Sequence, residues 1–267
     1  DFSLSRGLGD VYKRQDNQLL IVFSDISKLK TLEKMREDFI GNVSHELRTP
    51  ISVIKANSET LLSTKLIKDE NAINFTKAIQ SQSERMATIV NELLSISSME
   101  SGDYPISLDK LNIKNIVDSA IKELNPMTES SNIKLVNKIS DITHIIGDES
   151  AIKIIISNYI TNAIKHSPDD EIIEIDNEKI DKDFCRIKVI DNGIGIAKKY
   201  RERVFERFFR VDKGRSKKIG GTGLGLSISK NLALMMGYSV GVESNEPKGS
   251  IFYIDVKIHQ ETSKEVA

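Results

Sequence analysis

Four short stretches carry residue types whose spacing suits chemistry. "SHELRTP" (44–50) sets His45 beside Glu46, with Thr49 three residues further on. An imidazole can attack through one ring nitrogen while a neighbouring carboxylate takes the proton from the other. "NYITNAIKHSP" (158–168) places Asn158 and Asn162 four apart, hence on one helical face, with Lys165 and His166 close behind. Two amide oxygens and an ammonium in a row suit a hard divalent cation and phosphate oxygens. "DNGIGI" (191–196) puts Asp191 at the end of an apolar run, ahead of Gly193 and Gly195. That carboxylate can accept a hydrogen bond from an exocyclic amine, and the glycines let the backbone come close to a flat ligand. "GGTGLGLSISK" (220–230) leads a glycine-rich loop straight into a helix, where backbone amides and the helix's positive end make an anion cradle.

Each stretch has a plainer reading in isolation: a tight turn, a helix-capping loop, a solvated helix face, a surface histidine. His144 and His259 take the plain reading outright, and His166 reads as site wall. The glycine loop fits neither a P-loop, which needs Lys-Ser/Thr after the glycines, nor a dinucleotide turn, which needs a preceding strand. "VFERFFRVD" (204–212) interleaves Phe205, Phe208 and Phe209 with Arg207 and Arg210. It suits a hydrophobic anchor for a loop as well as a phosphate contact.

Composition narrows the field. Lys+Arg number 38 against Asp+Glu 39, so the net charge is -1, which argues against a nucleic-acid or anionic-membrane binder. One cysteine among 267 residues excludes an internal disulfide and fits a reducing compartment. No run approaches the roughly 18 apolar residues of a membrane span.

The elements that must position these residues follow from periodicity. From Lys28 to about Leu62, the residues Phe39, Val43, Leu47, Ile51 and Ile54 mark one apolar stripe. His45 lies two residues, about 200° of helix, from Val43 and so faces away from the stripe. Pro50 removes the hydrogen bond to the Glu46 carbonyl, so a bend or loosened turn is expected beside the histidine. After a polar break at 63–71 a second helix runs to about Met99, with Met86, Ile89, Val90, Leu93 and Leu94 on one face. Two such hairpins would close a four-helix bundle. Beyond "SGDYP" (101–105) the pattern turns mixed: helices at 112–130, 149–166 and after 225, and strands grouped in pairs. That grouping predicts an α+β sandwich, not a doubly wound sheet.

Taken in order, the Asn-bearing helix, the strand ending in Asp-x-Gly-x-Gly, the Phe/Arg segment and the glycine loop resemble the ATP-binding domain shared by histidine kinases, gyrase and Hsp90 chaperones. "FIGNVSHELRTPISVI" (39–54) closely resembles the phosphoacceptor box of sensor histidine kinases, and "VFSDISKLKTLEKMREDF" is similar to the end of a PAS sensor domain. The resemblance implies a Bergerat-type sandwich binding ATP and Mg²⁺, with a lid over about 205–223. Asp191 would hold the adenine amine. Asn162 and Asn158 would ligate the metal, and Lys165 the phosphates. Gly221, Gly223 and Gly225, with Thr222 and Leu224 between them, would wrap the triphosphate, and Gly193, Gly195, His166, Arg207 and Arg210 would complete the site. The related ATPases have a glutamate base where this chain has Asn158, which cannot take a proton at neutral pH, so transfer to another nucleophile is favoured over attack by water.

The implied activity is ATP-dependent phosphorylation of His45 and transfer to an aspartate of a response regulator. Glu46 and Thr49 would serve the proton transfer and a reverse phosphatase step. The implied partners are a second copy of the chain and the regulator, with no nucleic acid and no membrane contact in this cytoplasmic segment. A membrane anchor upstream is compatible with the resemblance. The expected domains are a leader outside the fold (1–15), the tail of a truncated PAS-like domain (16–27), the hairpin (28–101), the ATP-binding domain (105–258) and a disordered tail (259–267). A non-catalytic scaffold, a gyrase-type ATPase and a serine kinase on the same fold are the competing readings; His45 and Asn158 disfavour them.

Overall fold

The computed structural model describes residues 10–13, 19–22, 42–43, 46–61, 70–129, 131–140, 144–211 and 221–260. They belong to two compact units, divided between Met86 and Ala87. His45, residues 63–69 of the expected break and Gly220 lie outside the described residues; the last two residues of that break, 70 and 71, already belong to a helix.

In the first unit, β1 (Asp10–Lys13) pairs antiparallel with β2 (Leu19–Val22), Asp10 opposite Val22. Residues 10–13 of the expected leader are thus a strand: "DVYK" is short and mixed, and pairing with an apolar neighbour is what makes it one. Helix α1 (46–61) continues through Pro50, which is buried. Its polar residues are accommodated by bonding back one turn: Ser52 Oγ donates to the Arg48 carbonyl at 2.9 Å and Ser58 Oγ to that of Ile54 at 2.8 Å. Helix α2 (Glu70–Ser101) begins in this unit. Arg85 of α2 donates to Glu46 Oε2 of α1 at 2.9 Å, cross-linking the two helices where both side chains are half-buried.

The second unit includes the end of α2, from Ala87 on. Ile89 and Ile96 are fully buried while Val90 and Leu94 are exposed, so the expected single apolar face divides into an inward row and an outward one. Ile96 and Met99 join the core of this unit. Next come β3 (Asp109–Asn112), α3 (Ile113–Thr128), β4 (Lys134–Asn137), β5 (His144–Gly147), α4 (Glu149–His166), β6 (Ile172–Lys179), β7 (Phe184–Asp191), α5 (Gly225–Met235), β8 (Ser239–Ser244) and β9 (Ser250–Lys257). The main sheet has the order β4-β6-β7-β9-β8, parallel only between β4 and β6. β3 and β5 form a separate antiparallel pair. The unit is thus an α+β sandwich, as expected.

Alternation explains why the sheet has one covered face. Ile173 and Ile175 of β6, Cys185, Ile187 and Val189 of β7, and Phe252, Ile254 and Val256 of β9 are buried, and the residues between them are more exposed. Against them lie Ile116, Val117 and Ala120 of α3, Ile152, Ile155, Ile156, Tyr159 and Ile160 of α4, and Leu232 and Ala233 of α5. Both long helices are capped from their own sequence. Asn112 accepts from the amides of Lys114 and Asn115, and Asp148 from that of Ala151 at 2.9 Å. The other oxygen of Asp148 accepts from Ser107 N at 2.9 Å, tying the connector after α2 to the start of α4. The first two residues of the expected tail are bonded to the unit: His259 N donates to the His144 carbonyl at 2.9 Å and Gln260 to the Lys182 carbonyl at 3.1 Å.

Ile155 is fully buried between helices and sheet. Ile155→Ala should lower stability by about 2–5 kcal/mol, read as a lower urea midpoint. Lys230→Ala, on the exposed side of α5, should stay within about 0.5 kcal/mol of the parent.

Candidate functional site

The site grows from the polar side of α4. With Ile155, Ile156, Tyr159 and Ile160 sealed in the core, helical geometry turns Asn158, Asn162 and Lys165 toward the glycine loop and β7. Asn158 Nδ2 donates to the Gly225 carbonyl at 3.0 Å and to Ser229 Oγ at 3.1 Å. That leaves its amide oxygen as the atom a cation can use. Asn162 is half-buried one turn on. The Lys165 ammonium stands beside the loop: a Cβ placed on Gly221 would lie 3.9 Å from Nζ. His166 ends the helix exposed, and crowding by protein atoms together with the adjacent Lys165 charge lowers its pKa.

Asp191 closes β7 and is almost wholly buried. Its Oδ1 accepts from Gly193 N at 2.8 Å and Ser250 N at 3.1 Å. Asn245 Nδ2 donates to its backbone carbonyl at 2.9 Å. Burial pushes the Asp191 carboxyl up from the ordinary range, and the two amide donors pull it partly back. Among the described residues none donates to its other oxygen, which is therefore the one a ligand's amine can use. Gly193 is required by packing: a Cβ there would sit 2.5 Å from the His166 carbonyl oxygen, so this turn and the end of α4 touch through backbone alone. Gly195 follows at φ +72°.

The loop itself is fastened to the Phe/Arg segment. Phe208 N donates to the Gly223 carbonyl at 2.8 Å, with Phe208 at φ 58° and Gly223 at φ +76°. Arg210 donates to the Gly221 carbonyl and Arg207 pairs with Glu100 of α2. Phe205 is buried, Phe209 packs on Tyr200 at 5.9 Å, and the Arg203 guanidinium lies 4.4 Å over the Phe209 ring. The segment therefore anchors the loop through its phenylalanines and reaches it through Arg210. Thr222 Oγ1 accepts from Leu224 N at 3.2 Å. Leu224, expected among the ligand-wrapping residues, buries its side chain completely in the core, so only its backbone faces the loop. Gly225 opens α5.

Asp191, Gly193 and His166 thus meet at one pole, and Asn158, Lys165, Arg210, Gly221 and Gly225 at the other. Glu46 and Thr49 lie on α1 in the other unit. Ser250 and Asn245 went unread in the sequence. Ser250 pairs with Asp191 across β7 and β9, so strand register is the signal that would have found it.

Comparison with known proteins agrees with this arrangement. Residues 35–102 match the His Kinase A (phospho-acceptor) domain, and residues 147–260 the histidine kinase-, DNA gyrase B- and HSP90-like ATPase. The chain is 34% identical over 253 residues to the sensor-like histidine kinase SenX3 of Mycolicibacterium smegmatis, covering 94% of this chain and 65% of that protein. It is 34% identical over 250 residues to the sensor histidine kinase WalK of Bacillus subtilis, covering 91% of this chain and 40% of that one. It therefore spans about two fifths to two thirds of these relatives' length. Full-length ShkA, solved in complex with AMPPNP, superposes with a TM-score of 0.63 at 25% identity, over 84% of this chain and 46% of ShkA. With both modules matched in this order on a helical hairpin and an α+β sandwich, the chain belongs to the sensor histidine kinases.

Proposed function

We propose that this chain uses ATP to phosphorylate its own His45 and passes the phosphoryl group to an aspartate on a response regulator. The observation that carries the reading is the two-pole site: a buried acceptor, Asp191, at one end of α4's polar face, and Lys165 with the glycine loop at the other. One pole suits an adenine amine and the other a polyphosphate. The oxygens of Asn158 and Asn162 suit Mg²⁺, a hard cation that takes oxygen ligands and fills its remaining positions with water and phosphate. When bound, it would neutralise charge on the transferring phosphate.

The chain's own groups do the rest. Lys165 and the loop amides hold phosphate oxygens. A ring nitrogen of His45 attacks the γ-phosphorus as the bond to the β-phosphate oxygen breaks and ADP leaves with its electron pair. The proton on the second ring nitrogen passes to Glu46, which also accepts a hydrogen bond from Arg85. In the second step a regulator carboxylate attacks the phosphorus and the N–P bond breaks, returning its electrons to the imidazole. Thr49 is exposed on α1 and, three residues from Glu46, belongs to the same face. We assign it to positioning the water that hydrolyses the phosphorylated regulator.

Ile51 and Ile73 are large exposed apolar residues of the hairpin unit. A second copy would cover them in a four-helix bundle. No helix among the described residues is long and apolar enough to cross a membrane. The reading places the segment on the ATP-containing, cytoplasmic side, with any anchor elsewhere in the protein.

Incubation with γ-labelled ATP and Mg²⁺ should label the protein in an acid-labile, alkali-stable form. His45→Gln should abolish the label, and Asp191→Asn should weaken nucleotide binding about ten- to a hundredfold. ATP turnover without labelled protein would overturn the kinase reading. Thr49→Ala should spare autophosphorylation and slow dephosphorylation of the regulator; equal loss of both would remove Thr49 from the water-positioning role.

A further inference from the structure

The turn between β8 and β9, "SNEPKGS" (244–250), has a side chain that its own closure does not need. The hairpin closes by backbone: Asn245 N donates to the Gly249 carbonyl at 3.2 Å. An asparagine in a turn ordinarily bonds its own backbone. Asn245 instead directs its side-chain amide across to the turn that follows β7. Its Nδ2 donates to the Asp191 carbonyl at 2.9 Å and to Asn192 Oδ1 at 3.0 Å.

Backbone packing presses the same turn against Asp191. A Cβ on Gly249, which is buried at φ +128°, would lie 1.9 Å from the Asp191 carbonyl oxygen. This position admits no side chain, so the two turns meet main chain to main chain. Ser250 N, where the turn enters β9, donates to Asp191 Oδ1 at 3.1 Å. Farther out, Arg201 donates to Ser244 Oγ and, through Nε, to the Ile196 carbonyl at 3.4 Å. Asp191 thus takes one donor from its own turn, Gly193 N, and two from this neighbour.

We infer that Asn245 is a positioning residue for Asp191, and so sets how sharply the site distinguishes a purine with an exocyclic amine from one without it. The inference rests on the reading of Asp191 as the acceptor for the adenine amine. Asp191 is the last residue of β7 to pair with β9, so the ladder does not hold the peptide that follows it. The Asn245 donor fixes that peptide's carbonyl, and with it the Cα–Cβ bond from which the carboxylate is aimed. Without this donor a carbonyl in an almost wholly buried residue loses a partner, and the peptide can turn. A hydrogen bond to the base tolerates such turning poorly, because it weakens steeply with angle. Contacts to phosphates, made at the other pole, do not depend on it.

Calorimetric binding of ATP and of purine riboside triphosphate, which lacks the 6-amino group, to the whole chain with Mg²⁺ present tests this. The parent should favour ATP by about tenfold or more. Asn245→Ala should shrink that preference about three- to tenfold while purine riboside triphosphate binds as in the parent. Asn245→Asp, which keeps the shape and turns an acceptor toward the carbonyl, should shrink it at least as far. Asn192→Ala removes the exposed partner, which also donates to Glu171 at 2.9 Å, and should keep the parent's preference. Equal weakening of both nucleotides by Asn245→Ala would overturn the inference, and so would an equal loss of preference in Asn192→Ala. A parent-like preference with a lowered urea midpoint would make Asn245 a structural residue only, and would overturn it too. If the folded parent bound both nucleotides equally, the Asp191 reading would fall first and the positioning role with it.

Discussion

Everything at the site depends on how helix α4 is clamped. Its apolar side is buried without remainder, with Ile152, Ile155, Ile156, Tyr159 and Ile160 showing no accessible surface. Tyr159 stacks on Phe252 with ring centroids 5.4 Å apart and donates its hydroxyl to the Tyr253 carbonyl at 3.3 Å. A helix fixed on one side by that many contacts cannot roll, because any rotation would open voids in a close-packed core. The polar residues at 158, 162 and 165 are therefore aimed by residues they never touch. The catalytic potential of the chain begins as a packing constraint.

From that constraint the two poles acquire different mechanical characters. Asp191 is held by the sheet: it is the last residue of a central strand, its side chain takes two backbone donors, and its carbonyl takes a third from Asn245. The acceptor for a base is thus preorganised at the cost of a raised pKa. The phosphate pole is held by contacts that ligand groups can replace: Arg210 to a loop carbonyl and Arg207 to Glu100. Positioning at one end and exchange at the other is what the proposed cycle of ATP entry and ADP departure would require.

How much of this the sequence discloses varies element by element, for physical reasons. The bounds of α4 and the course of β7 follow from strong periodicity, and Asp191 with its glycines follows from their placement at the end of an apolar strand. β3 escapes such reading because "DKLN" offers one buried side chain, Leu111, and is a strand only by pairing with β5. The pairing of Asp10–Lys13 with Leu19–Val22 escapes because "DVYK" is short and mixed and has no apolar period of its own. Leu224 looked like a loop residue because glycines flank it, yet its side chain faces the core, which flanking residues do not reveal. The Arg207–Glu100 pair joins residues 107 positions apart in the chain and could emerge only from the fold. Pro50 is buried within α1, so packing offsets the one backbone hydrogen bond that it cannot donate.

Asn158 joins these threads. An amide differs from a carboxylate at this position in two ways, and the fold uses both. It has no basicity with which to activate water, so in the proposed reaction a bound phosphoanhydride would be spared hydrolysis and kept for a nucleophile. It also has N–H donors, and they are engaged: one side chain satisfies the Gly225 carbonyl and the Ser229 hydroxyl at the start of α5. A carboxylate in the same orientation would set its lone pairs against that carbonyl, which would lose the Asn158 donor and keep the Ser229 hydroxyl. The residue that withholds a base from water is thus also the one that secures the helix following the glycine loop. Replacing it with an acid would disturb the phosphate pole before it could create a hydrolase.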